Sequence, residues 1–380
     1  MKKVAIVTLN GYFNYGNRLQ NYALQETIKY LGFSVDSIRI CDEDLIENSS
    51  ISLASRLVNL LNNNPKEIFK ILKNKVYFKI HEKDINEIEK NRLNIFKKFS
   101  NDYINETDYY ISEKNIPEDL TDRYDYFITG SDQVWNMHYN KGSSIYFLTF
   151  AESHKRIAYA PSFGVNEIDT DIVDKYKEWI SGIHKISVRE DEGAKIIKKL
   201  TGREALVLID PTLLLSKDKW LSIAKEAKNK PKGKYLLTYF LGGVNSRYGK
   251  QIRKFAKQNN LEVINLGCIK EKETYQTGPS EFIDYISNCS IMFTDSFHGT
   301  VFSILFEKPF VVFERRDDVS MYSRIDTLLD KFNLSSRKVE NISYNNIFNI
   351  DYSHVPHLLH AERVKALDFL KDALEIKDAK

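Results

Sequence analysis

A histidine, an aspartate and a serine fall together in TDSFHGT, Thr294 to Thr300. His298 can exchange a proton near neutral pH, and Asp295 could carry the complementary transfer. Ser296 opens a helix-compatible run, so the helix start, with Gly299 and Thr300, would turn its N–H groups toward an incoming anion. The structural alternative is that Asp295 and Ser296 cap the helix while His298 satisfies a local carbonyl.

A second constellation is GSDQVWN, Gly130 to Asn136. Asp132 is a further candidate for proton transfer. Gln133 and Asn136 offer amides that pair with hydroxyls, and the Trp135 indole could cover the apolar face of a sugar. Equally, Asp132 could be a helix cap and Trp135 core filler. Arg189, at the end of another strand-like run, suits bidentate grip of a carboxylate or phosphate, or an ion pair with a neighbouring acid. Arg315, Arg316 and Arg324 are further candidate anion donors with the same ion-pair alternative. Near the N-terminus, Asn14, Asn17, Arg18 and Gln20 could bind a sugar or phosphate, or hold only their own loop.

These residues need strand tips and helix starts to position them. Lys3 to Leu9 is β-rich, a helix is predicted over about Asn17 to Leu31, and Ser34 to Ile40 follows as a strand, an opening βαβ unit. The glycines there do not spell GxGxxG, so a dinucleotide fingerprint is absent. Residues 45–99 read as an inserted set of helices. Strand-like runs recur at Asp125 to Thr129, Arg156 to Ala160, Lys185 to Val188, and Leu206 to Ile209. Beyond a linker at 216–233, the runs Lys234 to Leu241, Leu261 to Leu266, Ile291 to Phe293 and the one ending at Phe313 repeat the alternation. The expectation is α/β: two Rossmann-like domains facing across a cleft. Residues 1–215 would form the N-terminal domain, on the acceptor side, 234–355 the C-terminal domain carrying TDSFHGT, and 356–380 a helix docking back.

The 380 residues are 42% hydrophobic and 28% charged, as in a folded globular protein with more than one core. Basic and acidic side chains number 55 and 52, a formal charge of +3, which does not point to nucleic acid. Cys41, Cys268 and Cys289 are scattered without CxxC, which favours a reducing compartment and no thiolate metal site. No apolar run is long enough to cross a bilayer, so a cytoplasmic location is expected. The basic, aromatic region Lys66 to Lys90 leaves contact with the inner face of the membrane open, against the plainer reading of a solvated helical surface. His354, His357 and His360 lack matching acidic or cysteine ligands, and no metal site is assigned.

Taken in order, GSDQVWN, SVRED and TDSFHGT, with NYGNRLQNYAL, GPSEFIDYI, TDSFHGTVFSILFEKPFVVF and SRIDTLL, resemble the polysaccharide pyruvyl transferase family over nearly the whole chain. The resemblance implies a GT-B-like fold and transfer of the enolpyruvyl carbons of phosphoenolpyruvate to a saccharide, forming a pyruvate ketal with release of phosphate. It implies no cofactor beyond the donor substrate. The acceptor would be a saccharide, with a lipid-linked form left open. By the resemblance His298 is the proton-transfer histidine and Arg189 a basic residue near the donor. Many members carry an arginine two residues before this histidine; Ser296 stands there, and Arg315, Arg316 or Arg324 would supply the missing cation. The alternatives are a GT-B-like glycosyltransferase using a nucleotide sugar and a glycan-binding protein without activity.

Overall fold

The computed structural model describes residues 1–41, 78–140, 142–315, 323–343 and 346–376. Short runs rich in Val, Ile and Phe become strands buried on both faces, as parallel strands covered by helices must be. β1 (Lys3–Val7) and β4 (Tyr126–Thr129) are the plainest cases: all of β4 and all but the first residue of β1 are buried. They pair in parallel with Val4 opposite Tyr126 and Val7 opposite Thr129. β2 (Ser34–Ile40), β3 (Glu106–Ile111), β5 (Arg156–Ala158), β6 (Lys185–Val188) and β7 (Leu206–Val207) complete a seven-stranded sheet in the order β3-β2-β1-β4-β5-β6-β7. The second sheet has the order β11-β10-β8-β9, from β8 (Tyr235–Tyr239), β9 (Glu262–Asn265), β10 (Ile291–Thr294) and β11 (Phe310–Val312).

The first helix, α1 (Tyr15–Tyr30), starts two residues before the predicted point because the Asn14 side chain accepts from the Gly16 N–H and caps it there. Edge strand β3 was not anticipated: ETDYYI is polar enough to read as loop and gains its ladder from β2, with Arg39 opposite Tyr110. Of the predicted helical insertion at 45–99, residues 45–77 lie outside the described residues, as does the segment Lys66 to Tyr77 of the basic region. The remainder forms α2 (Glu82–Tyr103), which runs past residue 99.

The longer helices that cover the sheets continue with α3 (Val173–Ser181), α4 (Asp191–Thr201), α5 (Lys217–Ile223), α6 (Ser246–Gln258) and α7 (Pro279–Asn288). α8 (Phe297–Leu305), α9 (Ser323–Lys331) and α10 (Val355–Ala373) follow. One apolar core runs through both halves, from Val4, Ile6 and Leu19 to Tyr239, Phe282 and Phe302. At the seam the Tyr15 ring stacks on Phe282 at 4.2 Å and meets Tyr239 edge-on at 5.2 Å. Arg92 of α2 donates to the Tyr15 hydroxyl and to the carbonyls of Phe13 and Tyr275, so one buried guanidinium ties both halves to the loop after β1. α10 lies back on the first half, where Arg363 donates to the carbonyls of Leu213 and Leu215 and Phe369 sits beside Tyr159. Because the strands are parallel, the loops leaving β1, β4, β8 and β10 emerge on the side where the two halves meet.

Candidate functional site

Those loops enclose a cavity of about 390 Å³. Its walls include Asn14, Asn17, Asp132 and Gln133 from the first half and Ser296, His298, Arg315 and Arg324 from the second. His298 is positioned by β10 and α8. The Thr294 hydroxyl accepts from the Ser296 N–H, and Ser296 Oγ accepts from the Gly299 N–H at 3.2 Å, capping the helix whose first turn holds the histidine. The imidazole is 6% exposed. On its Nδ1 side it presses against Gly16 of α1, where a β-carbon would stand 2.0 Å away. Nε2 has no hydrogen-bond partner among the described residues and lies 3.6 Å from Asp210 Oδ2.

Asp210 ends the strand run at β7 and is the hub beneath the cavity. Its Oδ1 accepts from the Thr212 N–H and hydroxyl at 3.0 and 2.7 Å. Its Oδ2 accepts from Ser131 Oγ at 3.0 Å and from Arg189 Nη1 at 2.9 Å. Burial alone would raise this carboxyl; His298, Arg189 and Thr212 outweigh it and hold Asp210 well below the usual carboxylate range. Arg189 also faces Asp132 Oδ1 at 3.4 Å and lies over the Phe297 ring at 4.3 Å. Burial would lower its guanidinium, but Asp132, Asp210 and Glu190 reverse that and raise it.

Arg189 is therefore not at the cavity wall. Two buried aspartates occupy it, the ion-pair alternative of its sequence reading, and it shapes the floor on which Asp132 and His298 rest. Asp295 is likewise withdrawn: its two oxygens accept from the backbone N–H groups of Leu241 and Gly242 at 2.6 and 2.8 Å, and burial raises its carboxyl despite Arg315 at 3.7 Å. Of the candidate carboxylates, Asp132 is the one that lines the cavity. Gly299 gives its N–H to Ser296, and the Thr300 N–H and hydroxyl are both spent on the Ser296 carbonyl.

Cationic character on the second-half wall comes from Arg315, beyond β11, and Arg324, at the start of α9. Arg324 is 5% exposed; burial, then repulsion from Arg189, bring its guanidinium down to about 10. Its Nε has no hydrogen-bond partner among the described residues, which leaves a buried donor at the wall. Arg316 lies outside the described residues.

The first-half groups divide sharply. Asn14, Asn17 and Gln133 line the cavity. Arg18 is fully buried, bound to Glu106 at 2.6 Å and to the Leu9 carbonyl, and Gln20 joins the Ser131 N–H to the Thr8 hydroxyl. Asn136 bonds Gln133 and the His138 N–H. Trp135 is fully buried, stacked on Phe147 at 5.1 Å with its indole N–H donated to the Tyr146 carbonyl. It is core filler and covers no sugar, because the chain turns it under β4 rather than toward the cavity. The aromatic faces at the mouth are Phe13, 69% exposed, and Tyr139, 44% exposed. Sequence reasoning missed both, and passed over Asp210 as a strand terminator. An acid at a strand's carboxyl end was the available signal for Asp210; Phe13 and Tyr139 carried none beyond their type.

The site thus joins a histidine paired with a buried carboxylate, a carboxylate at the wall, two arginines, amides and exposed aromatic faces. That set can move protons beside an anion and hold a polyol.

A structure of S. aureus MnaA with UDP superposes at a TM-score of 0.51 with 9% identity, covering 100% of this chain and 99% of that one. UDP-GlcNAc 2-epimerase from Neisseria meningitidis bound to UDP-GlcNAc gives 0.45 at 9% identity, over 99% and 100%. E. coli ADP-heptose lps heptosyltransferase II gives 0.35 at 12% identity, over 96% and 99%. The likeness is one of fold: α/β, two parallel sheets, GT-B-like. No curated protein matches the chain. The model of the polysaccharide pyruvyl transferase family matches residues 14–317, which takes in Asn14, Asp132, Asp210, His298 and Arg315. The chain is a transferase that belongs to the polysaccharide pyruvyl transferase family.

Proposed function

We propose that the protein transfers the enolpyruvyl carbons of phosphoenolpyruvate to two hydroxyls of one sugar, forming a pyruvate ketal and releasing phosphate. The observation that carries this is the second-half wall: His298, with Nε2 beside Asp210, shares one cavity with Arg315 and the buried Arg324. A donor with a carboxylate and a phosphate needs cations and a proton source within one small space. Arg324 and Arg315 take the place of the family arginine that Ser296 lacks.

In this scheme the first sugar hydroxyl adds its oxygen to the donor's C2 while C3 gains a proton and becomes a methyl group. His298 gives that proton, with Asp210 holding the charged ring until it is released. Asp132, at the wall opposite, accepts the hydroxyl's proton. The second hydroxyl then attacks the same carbon, the C2–O bond to phosphate breaks, and its proton leaves with the phosphate. Phe13 and Tyr139 cover the sugar's apolar face while Asn14, Asn17 and Gln133 meet its hydroxyls. A lipid-linked acceptor would bring the protein to the inner face of the membrane, which co-sedimentation with vesicles tests.

The deciding experiment is phosphate release from phosphoenolpyruvate with a panel of saccharides, followed by product mass. Phosphate together with a pyruvate ketal supports the reading. Thermal protection by nucleotide sugars, and none by phosphoenolpyruvate, sinks it in favour of glycosyl transfer.

A further inference from the structure

The loop after β1 has a second polar side. Asn10 and Gly11 line the main cavity and also an adjoining hollow of about 220 Å³, walled by Tyr12, Arg39, Tyr110 and Tyr146 at the carboxyl ends of β2 and edge strand β3. Tyr110 is 51% exposed, and the Arg39 guanidinium lies over its ring at 4.3 Å while Nη1 donates to its hydroxyl at 3.1 Å.

Two polar atoms here are buried without a hydrogen-bond partner among the described residues: Arg39 Nε, a donor, and Asn10 Oδ1, an acceptor. The rest of Asn10 is committed, since Nδ2 donates to the Ile38 carbonyl at 2.7 Å. Buried polar atoms cost free energy unless a partner arrives, so the pair marks a place for a ligand that both accepts and donates. A hydroxyl does both. A phosphate or carboxylate offers only acceptors and would leave Asn10 Oδ1 unmet. Tyr110, 51% exposed, supplies the aromatic surface that a pyranose ring requires.

We infer that this hollow is a saccharide subsite that holds the unit next to the one that reacts, so that the acceptor is a chain of at least two sugars. The inference rests on the pyruvyl-transfer reading for the direction of the chain. Asn10 and Gly11 line both cavities, so the hollow adjoins the one that holds His298, on the side of edge strand β3.

The test is retention of the full chain on an array of linear hexose and N-acetylhexosamine saccharides of one to four units, with Tyr110→Ala and Arg39→Ala beside the wild type. Neither side chain lines the main cavity. The wild type should retain one series with a gain of about tenfold from one unit to two, the size expected for an aromatic face plus a hydrogen bond. Each substitution should abolish that gain and leave retention of the single unit and phosphoenolpyruvate binding unchanged. Retention independent of length, retention unaltered by both substitutions, or no retention of any saccharide overturns the subsite. Phosphate release from phosphoenolpyruvate is scored separately: its absence with length-dependent retention intact counts against pyruvyl transfer and leaves the subsite standing.

Discussion

His298 Nδ1 and Gly16 are packed so closely that a β-carbon on Gly16 would stand 2.0 Å from the ring nitrogen. The first half of the protein therefore sets the orientation of the second half's histidine. Alanine inside a helix normally stabilises it relative to glycine by about 1 kcal/mol. In Gly16→Ala that gain is offset by a clash the ring can relieve only by moving, so turnover should fall by about 100-fold while the melting temperature changes little. Turnover and thermal unfolding of the variant check this; wild-type turnover would show that the contact is dispensable.

Removing the imidazole itself goes further. His298→Ala should lower turnover by about 10²–10⁴-fold with an unchanged circular dichroism spectrum. Turnover close to wild type would remove His298 from the proton path.

Asp210 makes an acid-pH prediction. Its folded carboxyl is held below the ordinary value of 3.8, so its contribution to stability is complete above about pH 4 and is lost as the pH falls through the folded value. Asp210→Asn should cost about 3–5 kcal/mol at neutral pH, because Arg189 and His298 lose a buried partner. The difference from wild type should narrow below pH 4, as urea unfolding at a series of pH values would show. A difference that stays constant down to the most acid point would mean that the carboxylate is not held by these cations.

Arg324 is tested by donor binding. Arg324→Met should weaken phosphoenolpyruvate by about tenfold to a hundredfold in calorimetry, the size of a lost charged hydrogen bond. Equal affinities for both proteins at pH 8 would exclude Arg324 from the donor site.

Phe13 and Trp135 should part company. Trp135→Ala empties a buried site and should cost about 3–5 kcal/mol. Phe13→Ala removes a side chain that is 69% exposed and should leave stability nearly untouched while raising the acceptor KM. An unstable Phe13→Ala, or a Trp135→Ala with a raised acceptor KM and full stability, would reverse these assignments.

The sequence by itself determined the elements and the family. Apolar runs of strand length, each ending in a polar turn, are local signals, and they mark β1, β4, β6, β8 and β10 without reference to anything distant. The segment TDSFHGT announced a capped helix with a histidine in its first turn for the same reason. Edge strand β3 escaped because its partner β2 lies some seventy residues away, and a ladder is a property of two segments.

What each polar side chain faces was decided only by the tertiary structure. Arg189, Asp295, Arg18 and Trp135 have types that suit a binding site, yet burial without partners would have been too costly, so each is consumed by an internal contact. Asp210 gained its place from the meeting of β7, Arg189 and His298, three parts of the chain that no spacing links. The cavity exists where parallel strand tips from two sheets converge, and convergence is long-range packing, which residue order alone does not encode.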